Sequence, residues 1–263
     1  KTLVFSAWEM VPRAISSLIS YEAERKTVGK LFNHLSEEEK SKRSYFDSNR
    51  YPLPRLVFRL KDGKPMTMNI LSLLYPSISL SKLFNPIDVL NKGLSYEEIK
   101  NNLLNIVGKI LEPYKSDDLK GKEDDRWYYV APLLFDKDEE ELDRFFNIYR
   151  ERIFNDKENN EDDKESKIEL GALSKHFIEL ESIYNNLSSI ELGKMPNDLD
   201  NVLVDMILGS PSIAMLRVFN DYSAEALCES VRLAKNMINM FNSQEAIAII
   251  DIQYGNKNEG AYW

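Results

Sequence analysis

The amino-acid sequence predicts a mainly α-helical protein with a strand and helix at its N-terminus and one small β-hairpin. From Asn69 onward, apolar residues recur at the spacing of helices that bury one face. A strong turn pair, Asp62-Gly63, separates two apolar-rich arms and gives the second β signal. With 43% apolar and 11% aromatic residues, the 263-residue chain can bury a substantial core. We therefore expect a helical, bundle-like domain that follows a short α/β segment.

The first element is a short apolar strand at Leu3–Phe5, which ends at Ser6 and runs directly into a helix. We predict this helix from Trp8 to about Phe32. Its core-facing stripe is Val11, Ala14, Ile15, Leu18, Ile19 and Ala23. A strand that feeds a helix is the building unit of α/β lobes. Because this signature lies at the very edge of the chain, we expect a piece of a longer protein, with domains at 1–35 and 36–263.

The second predicted domain begins with a short polar helix and continues through the hairpin. Ser36-Glu-Glu-Glu39 and Ser95-Tyr-Glu-Glu98 both fit capping boxes, and the second opens a helix that runs through Ile110. The hairpin arms are 54–60 and 65–68. Between the hairpin and the second box, prolines break the pattern into short helical turns over 69–74 and 80–84.

The remaining pattern is helical, with one interruption. Residues 155–167 contain six acidic residues, three lysines and no apolar residue, which predicts an exposed loop. Ser210-Pro211 restarts a helix after Gly209, and Asp221 or Ser223 caps the next one, whose buried stripe includes Leu227 and Val231. The predicted helices are 126–136, 138–154, 168–190, 199–209, one from Pro211, one from about Ser223 to Phe241 and a last short one after Ser243.

Composition excludes several classes of protein. No apolar run approaches the ~18 residues of a membrane span, and the first residues lack the features of a signal peptide, so we expect a cytoplasmic protein without a membrane partner. The single cysteine, Cys228, cannot form an internal disulfide and is predicted to lie in the core. His34 and His176 are far apart in sequence, so no metal site is expected. A net charge of −9 disfavours a surface that binds nucleic acid throughout.

Several segments resemble a known family. They are Phe5-Ser-Ala-Trp8, Ser20-Tyr-Glu-Ala-Glu-Arg25, Leu74-Tyr-Pro-Ser77, Trp127-Tyr-Tyr129 and Gly209-Ser-Pro-Ser-Ile-Ala-Met-Leu216. The first strand and helix resemble motif IV of superfamily-two helicases of the Swi/Snf-like type, which opens their second RecA-like lobe. The resemblance is closest to large bacterial helicases that carry a long insertion after this motif. It implies that 1–35 begin that lobe and that 36–263 form a mostly helical insertion.

The resemblance implies an ATP-dependent parent that moves along DNA or RNA, with ATP and Mg²⁺ bound outside this chain and the other helicase lobes as partners. The chain contains no G-x-x-x-x-G-K-[ST] sequence. Leu133-Leu-Phe-Asp136 superficially resembles a strand that ends in a magnesium-binding aspartate. However, Pro132 interrupts this stretch at its start, and Lys137 occupies the position of the partner glutamate. The arginine motif of the family is also missing. We therefore expect no cofactor in this fragment and no catalysis by it alone.

Carried over by position, the candidate nucleic-acid-binding residues are Ser6, Trp8 and Arg13. Strand carboxyl ends and helix amino ends present hydroxyl and N–H groups that suit phosphate. The alternative is that Ser6 only caps the helix and Trp8 packs against it. For the cluster 127–129, a base-stacking platform and a packed core are both open, and the core is favoured because aromatic residues in an amphipathic helix usually pack inside.

The sequence thus supports a helicase fragment whose helical insertion shapes the nucleic-acid path or docks other proteins. The alternative is a non-enzymatic α-helical interaction module with a chance likeness to motif IV. A self-contained helical enzyme would need a polar cluster that the sequence does not contain. In isolation, the strand at Leu3–Phe5 would lack its neighbours, which predicts a non-native dimer through its free edge.

Overall fold

A computed structural model describes residues 10–31, 54–115, 121–159, 164–243, 246–247 and 249–250. The chain divides into two compact units, one made of Lys1–Arg55 with Met240–Trp263 and the other of Leu56–Asn239, which we call the helical body. The described part is mainly helical with one small antiparallel hairpin, which confirms the predicted fold class. The predicted strand at Leu3–Phe5 and the predicted boundary after residue 35 lie outside the described residues.

In the first unit, helix α1 spans Met10–Leu31, which confirms the predicted helix over the described range. Its predicted core-facing stripe is not buried, because Leu18 and Ile19 are 67% and 64% exposed. Periodicity shows that a helix has an apolar face. It does not show which element, if any, covers that face.

The hairpin joins strands β1 (Leu60–Lys61) and β2 (Lys64–Pro65), with Leu60 paired to Pro65. Asp62 and Gly63 both have positive φ, 51° and 77°, as a two-residue turn of type I′ requires. The strands are shorter than the predicted arms because Pro65 has no N–H to donate to the ladder. The Met66 N–H still donates to the Arg59 carbonyl at 2.9 Å, so the arms remain together beyond the strands.

Four helices follow the hairpin: α2 (Met68–Ser72), α3 (Ile78–Lys82), α4 (Pro86–Lys92) and α5 (Tyr96–Leu111), the last extended by a 3₁₀ turn at Glu112–Tyr114. The predicted capping box at α5 is confirmed, since Ser95 N donates to Glu98 Oε2 at 2.8 Å and Glu98 N donates to Ser95 Oγ at 3.4 Å. Gly93, with φ of +65°, ends α4 in the left-handed conformation.

Helices α6 (Trp127–Asp136), α7 (Leu142–Asn159) and α8 (Lys164–Asn185) come next, and a 3₁₀ turn at Leu187–Ser189 follows. The prediction of a loop over 155–167 is wrong for most of its length, because residues 155–159 continue α7 and 164–167 begin α8. The lack of apolar residues excludes this segment from the core. It does not prevent a helix, because glutamate and lysine are good helix formers.

The last helices are α9 (Leu199–Gly209), α10 (Pro211–Phe219) and α11 (Ala224–Phe241). The predicted restart at Ser210-Pro211 is confirmed, but the Ser210 hydroxyl makes no capping bond and instead lies 3.2 Å from the Leu73 carbonyl. Ser223 Oγ accepts from Ala226 N at 3.4 Å at the start of α11. Leu227, Val231, Ala234 and Ile238 are buried as predicted, whereas Phe241 is 39% exposed.

Two hydrophobic clusters hold the helical body together. One packs α2, α7, α8 and α11 around Phe145 and Leu173. The other packs α3, α5 and α9 around Leu203. Helices α3, α6 and α10 contribute to both. Ile78, Leu133 and Leu216 lie in the first cluster, and Leu80, Trp127 and Ile213 lie in the second. The two clusters therefore share three helices and stabilise one body.

No single helix in the described ranges is both long and apolar enough to cross a membrane. The pair α9 and α10 reaches the required length and hydropathy only together, and a bend of 46° separates its two halves.

Candidate functional site: a groove beside the hairpin

The structure describes only one of the three residues predicted to contact nucleic acid. Ser6 and Trp8 lie outside the described residues. Arg13 lies in α1 with an exposed side chain, and its carbonyl accepts a hydrogen bond from Ser17 Oγ at 2.9 Å. Contact between these three residues and a nucleic acid stays a prediction.

The three aromatic residues at the start of α6 lie in two different environments. Trp127 is buried, and its Nε1–H donates to the Gly193 carbonyl at 2.9 Å, so its ring belongs to the core as predicted. Tyr128 and Tyr129 are only half-buried and line a groove on the surface of the helical body. The three rings therefore do not form one exposed surface on which nucleic-acid bases could stack.

Asp136, which ends Leu133-Leu-Phe-Asp136, has a structural role. The segment is helical, and the Asp136 carboxylate is fully buried. It accepts hydrogen bonds from Tyr75 Oη at 2.9 Å, Ile78 N at 3.1 Å and Ser79 N at 2.7 Å. Burial raises the pKa of Asp136, although its hydrogen bonds oppose that shift. The carboxylate thereby fixes the start of α3 to the end of α6.

The groove beside the hairpin, which we call the hairpin groove, has a volume of about 790 Å³. It is formed by the end of the hairpin with the start of α2, by the segment that leads into α6, and by Gly193. Its lining residues are Pro65, Met66, Met68, Asn69, Lys122, Glu123, Asp124, Asp125, Arg126, Tyr128, Tyr129 and Gly193.

A network around Asp124 shapes one side of the groove, and we call it the Asp124 junction. The carboxylate accepts two bonds from the Arg126 guanidinium, at 3.0 Å and 2.7 Å, and one from Gly193 N at 2.8 Å. Arg126 also donates to the Glu191 carbonyl at 2.7 Å. The hydrogen bonds from Arg126 lower the pKa of Asp124 to about 2, so the carboxylate is ionised at neutral pH.

Gly193 packs closely against Asp124 at this junction. A Cβ atom at position 193 would lie 3.1 Å from Asp124 Cβ and 3.3 Å from its Oδ2. The Asp124 N–H donates to the Lys194 carbonyl at 2.9 Å, which forms a parallel bridge between the two segments. The segments around 124 and 193 are thus joined by backbone, side chain and close contact together.

The two tyrosines of the groove differ in their hydrogen bonds. The Tyr128 hydroxyl donates to Asp198 Oδ1 at 2.6 Å, and burial together with this carboxylate raises the pKa of Tyr128. The Tyr129 hydroxyl makes no hydrogen bond with any residue of the described ranges. Burial raises the pKa of Tyr129 to about 12, so the hydroxyl is protonated at neutral pH.

A second network lies under the hairpin and fixes the other side of the groove. Thr67 Oγ1 accepts from Arg59 N at 3.0 Å and lies 3.1 Å from both the Val57 carbonyl and His176 Nε2. His176 Nδ1 lies 2.8 Å from the Ala172 carbonyl, which only accepts, so Nδ1 carries the proton. The single hydroxyl proton of Thr67 is donated to the Val57 carbonyl, and Nε2 lies within hydrogen-bond distance of the same oxygen. This network ties Thr67, between groove residues Met66 and Met68, to helix α8.

Because His176 is buried, its pKa is lowered and the folded protein favours the neutral imidazole. The contribution of neutral His176 to the free energy of unfolding is therefore present above the unfolded pKa of ~6.5. It is lost as the pH falls below that value. We expect the urea midpoint to fall between pH 7.5 and 5.5, and to fall less in His176→Gln. Equal slopes in the wild type and in His176→Gln would contradict this assignment.

The described residues show no arrangement typical of catalysis. Among them, no three His, Cys, Asp or Glu side chains are grouped to hold a metal ion. Cys228 is buried in the core as predicted, and burial raises the pKa of its thiol to about 11, which makes it a poor nucleophile. The groove is lined by aromatic rings, methionines and carboxylates, which are side chains that commonly contact a bound ligand.

Sequence reasoning missed the groove because its parts are far apart in the chain. Met66, Asp124 and Gly193 come from three separate segments, two of them without regular secondary structure. One local signal was present: Asp124 and Arg126 lie two residues apart at the start of a helix, where an aspartate often bonds the backbone of a following residue.

Comparison with known proteins gives no relative. The chain matches no protein-family model, no curated protein and no solved structure.

Proposed function

We propose that this chain is part of an ATP-dependent nucleic-acid helicase or translocase of the superfamily-two, Swi/Snf-like type. Residues 1–35 would begin the second RecA-like lobe, and the helical body would be an accessory domain that docks a protein partner. In this proposal the protein is cytoplasmic. ATP and Mg²⁺ are bound elsewhere in the parent protein, and the chain alone has no catalytic activity. The support for the lobe is the resemblance of the first strand and helix to motif IV.

The distribution of charge along the chain supports the proposed docking role. The helical body contains 33 acidic and 23 basic residues, a net charge of −10, whereas the rest of the chain contains 10 acidic and 11 basic residues. Nucleic-acid binding depends on basic side chains that neutralise phosphates. The acidic body therefore favours protein docking over direct contact with a nucleic-acid strand, and any such contact is expected in the N-terminal part.

The alternative proposal is a non-enzymatic helical interaction module without a helicase parent. The groove and the acidic surface support this alternative equally, because neither depends on ATP. An upstream Walker A and DExx pair with a downstream arginine motif in the parent gene would favour the helicase, and their absence from that gene would favour the module.

Binding of a labelled 20-nucleotide single-stranded DNA and its duplex to the full chain tests the helicase proposal. We expect affinity that falls with salt and that drops about tenfold or more in Ser6→Ala/Trp8→Ala, because these residues would lie on the phosphate backbone. Ser20→Ala, on exposed α1 surface, is the control and should bind like wild type. Absent binding, or binding that does not respond to salt, would remove direct nucleic-acid contact from the proposal.

A further inference from the structure

We propose that the hairpin groove binds a segment of a partner protein in which lysine or arginine lies next to an apolar side chain. This inference rests on the proposed docking role of the helical body and names the chemistry of the partner. It is carried by the groove's exposed methionine, its two tyrosines and its unpaired carboxylate.

The apolar part of the groove suits a side chain from another protein. Met66 is 58% exposed, although it lies between residues that are fixed by the hairpin and the Thr67 network. A flexible thioether beside aromatic rings adapts to apolar partners of different shape. The volume of about 790 Å³ lies within the ~300–1,000 Å³ range of ligand pockets, which is room for several side chains.

The charged part of the groove has three acidic and two basic side chains, a net charge of −1, which favours a cation. Three carboxylates, Glu123, Asp124 and Asp125, line it against Lys122 and Arg126. Asp124 and Arg126 neutralise each other in the junction, and Arg126 is further held by a carbonyl. Asp125 is exposed and its carboxylate makes no hydrogen bond within the described part of the chain. Glu123 Oε1 accepts from Asn197 N at 3.3 Å.

A cation bound by these carboxylates would share the groove with an aromatic ring. Tyr129 lines the groove beside these carboxylates, and its hydroxyl is free to accept or donate among the described residues. A lysine or arginine between a carboxylate and a tyrosine ring gains a charge-assisted hydrogen bond and a cation–π contact. A nucleic-acid phosphate at this position would instead meet Glu123 and Asp125 in a body of net charge −10.

Both sides of the groove are fixed before any partner arrives. The Asp124 junction holds 122–126 to Gly193, and the contact between Thr67 and His176 holds the end of the hairpin to α8. A preformed site loses little conformational freedom on binding. This favours a groove that recognises a partner segment over a surface that is only incidentally concave.

The test uses the full chain and fluorescence anisotropy of a labelled peptide of alternating lysine and leucine, with a glutamate–leucine peptide of equal length as the negative probe. The groove variant is Glu123→Gln/Asp125→Asn. The control is Glu97→Gln/Asp88→Asn, which removes the same two charges from exposed positions on α5 and α4. We expect the groove variant to weaken binding of the lysine–leucine peptide about tenfold or more, and the control less than twofold, since only the groove variant removes the carboxylates that would form charge-assisted hydrogen bonds with the peptide.

Three outcomes would overturn the inference: no preference for the basic peptide, equal loss in groove and control variants, or DNA that competes with the peptide and loses affinity in the groove variant. The last would make the groove a nucleic-acid site. Failure of the helicase proposal is separate, because Ser6→Ala/Trp8→Ala would then leave DNA binding unchanged while peptide binding in the groove remains.

Discussion

Replacing Asp136 with alanine is expected to lower the free energy of unfolding of the helical body by about 3 kcal/mol or more. The substitution leaves three buried donors, Tyr75 Oη, Ile78 N and Ser79 N, without their acceptor. Each unsatisfied buried group costs ~1–3 kcal/mol. Burial and Asp136 together hold the pKa of Tyr75 well above its usual value, so its hydroxyl keeps a proton that must be accommodated. Urea denaturation followed by circular dichroism measures the loss.

Two further variants make this result specific to the hydrogen bonds. Asp136→Asn keeps one oxygen acceptor at the same place and should lose less stability than Asp136→Ala. Asp138→Ala, an exposed position two residues later, should change stability by less than about 0.5 kcal/mol. If Asp136→Ala were as stable as Asp138→Ala, the role of Asp136 in holding α3 to α6 would be wrong.

Replacing Asp124 with alanine should lower the free energy of unfolding by about 2 kcal/mol, because Arg126 and Gly193 N lose their common acceptor. The same loss should weaken peptide binding in the groove. The pKa of Asp124 is about 2, below the ~3.9 of an unfolded aspartate. Its stabilising contribution is therefore fully present above the unfolded pKa and is lost as pH falls from about 4 to about 2. Urea midpoints between pH 5 and pH 2.5 should show this loss in the wild type and a smaller one in Asp124→Asn.

The control for the junction is its neighbour, Asp125→Ala, which removes an exposed carboxylate that makes no hydrogen bond in the described ranges. It should change stability by less than about 0.5 kcal/mol while still weakening peptide binding. A loss of stability in Asp125→Ala equal to that in Asp124→Ala would show that the loss follows from charge alone and not from the junction.

The fold class was predictable because its signals are local. The capping box at Ser95, the turn at Asp62-Gly63 and the restart at Pro211 depend on residues within four positions of one another, and all three are confirmed. The stripe of α11 was readable from its 3.6-residue period. Errors arose where a local signal was ambiguous: charged residues at 155–159 and 164–167 favour solvent, and they also favour helices.

The candidate site was not predictable because it depends on contacts between distant residues. Nothing in the sequence joins Asp124 to Gly193 or Thr67 to His176, although each pair lies within hydrogen-bond distance. The sequence did point to Trp127-Tyr-Tyr129 as an aromatic cluster. Only the structure separates the buried ring of Trp127 from the two rings that line the groove.

We propose that the groove binds a protein segment and that the N-terminal part binds nucleic acid. Hydrogen–deuterium exchange of the full chain with each ligand tests this most directly. With the lysine–leucine peptide, we predict protection of backbone amides in the groove segments 64–69 and 122–129, and none in residues 1–20. With the 20-nucleotide DNA, we predict protection in residues 1–20 and an unchanged groove. Protection of 64–69 and 122–129 by DNA, with no response to the peptide, would contradict the account.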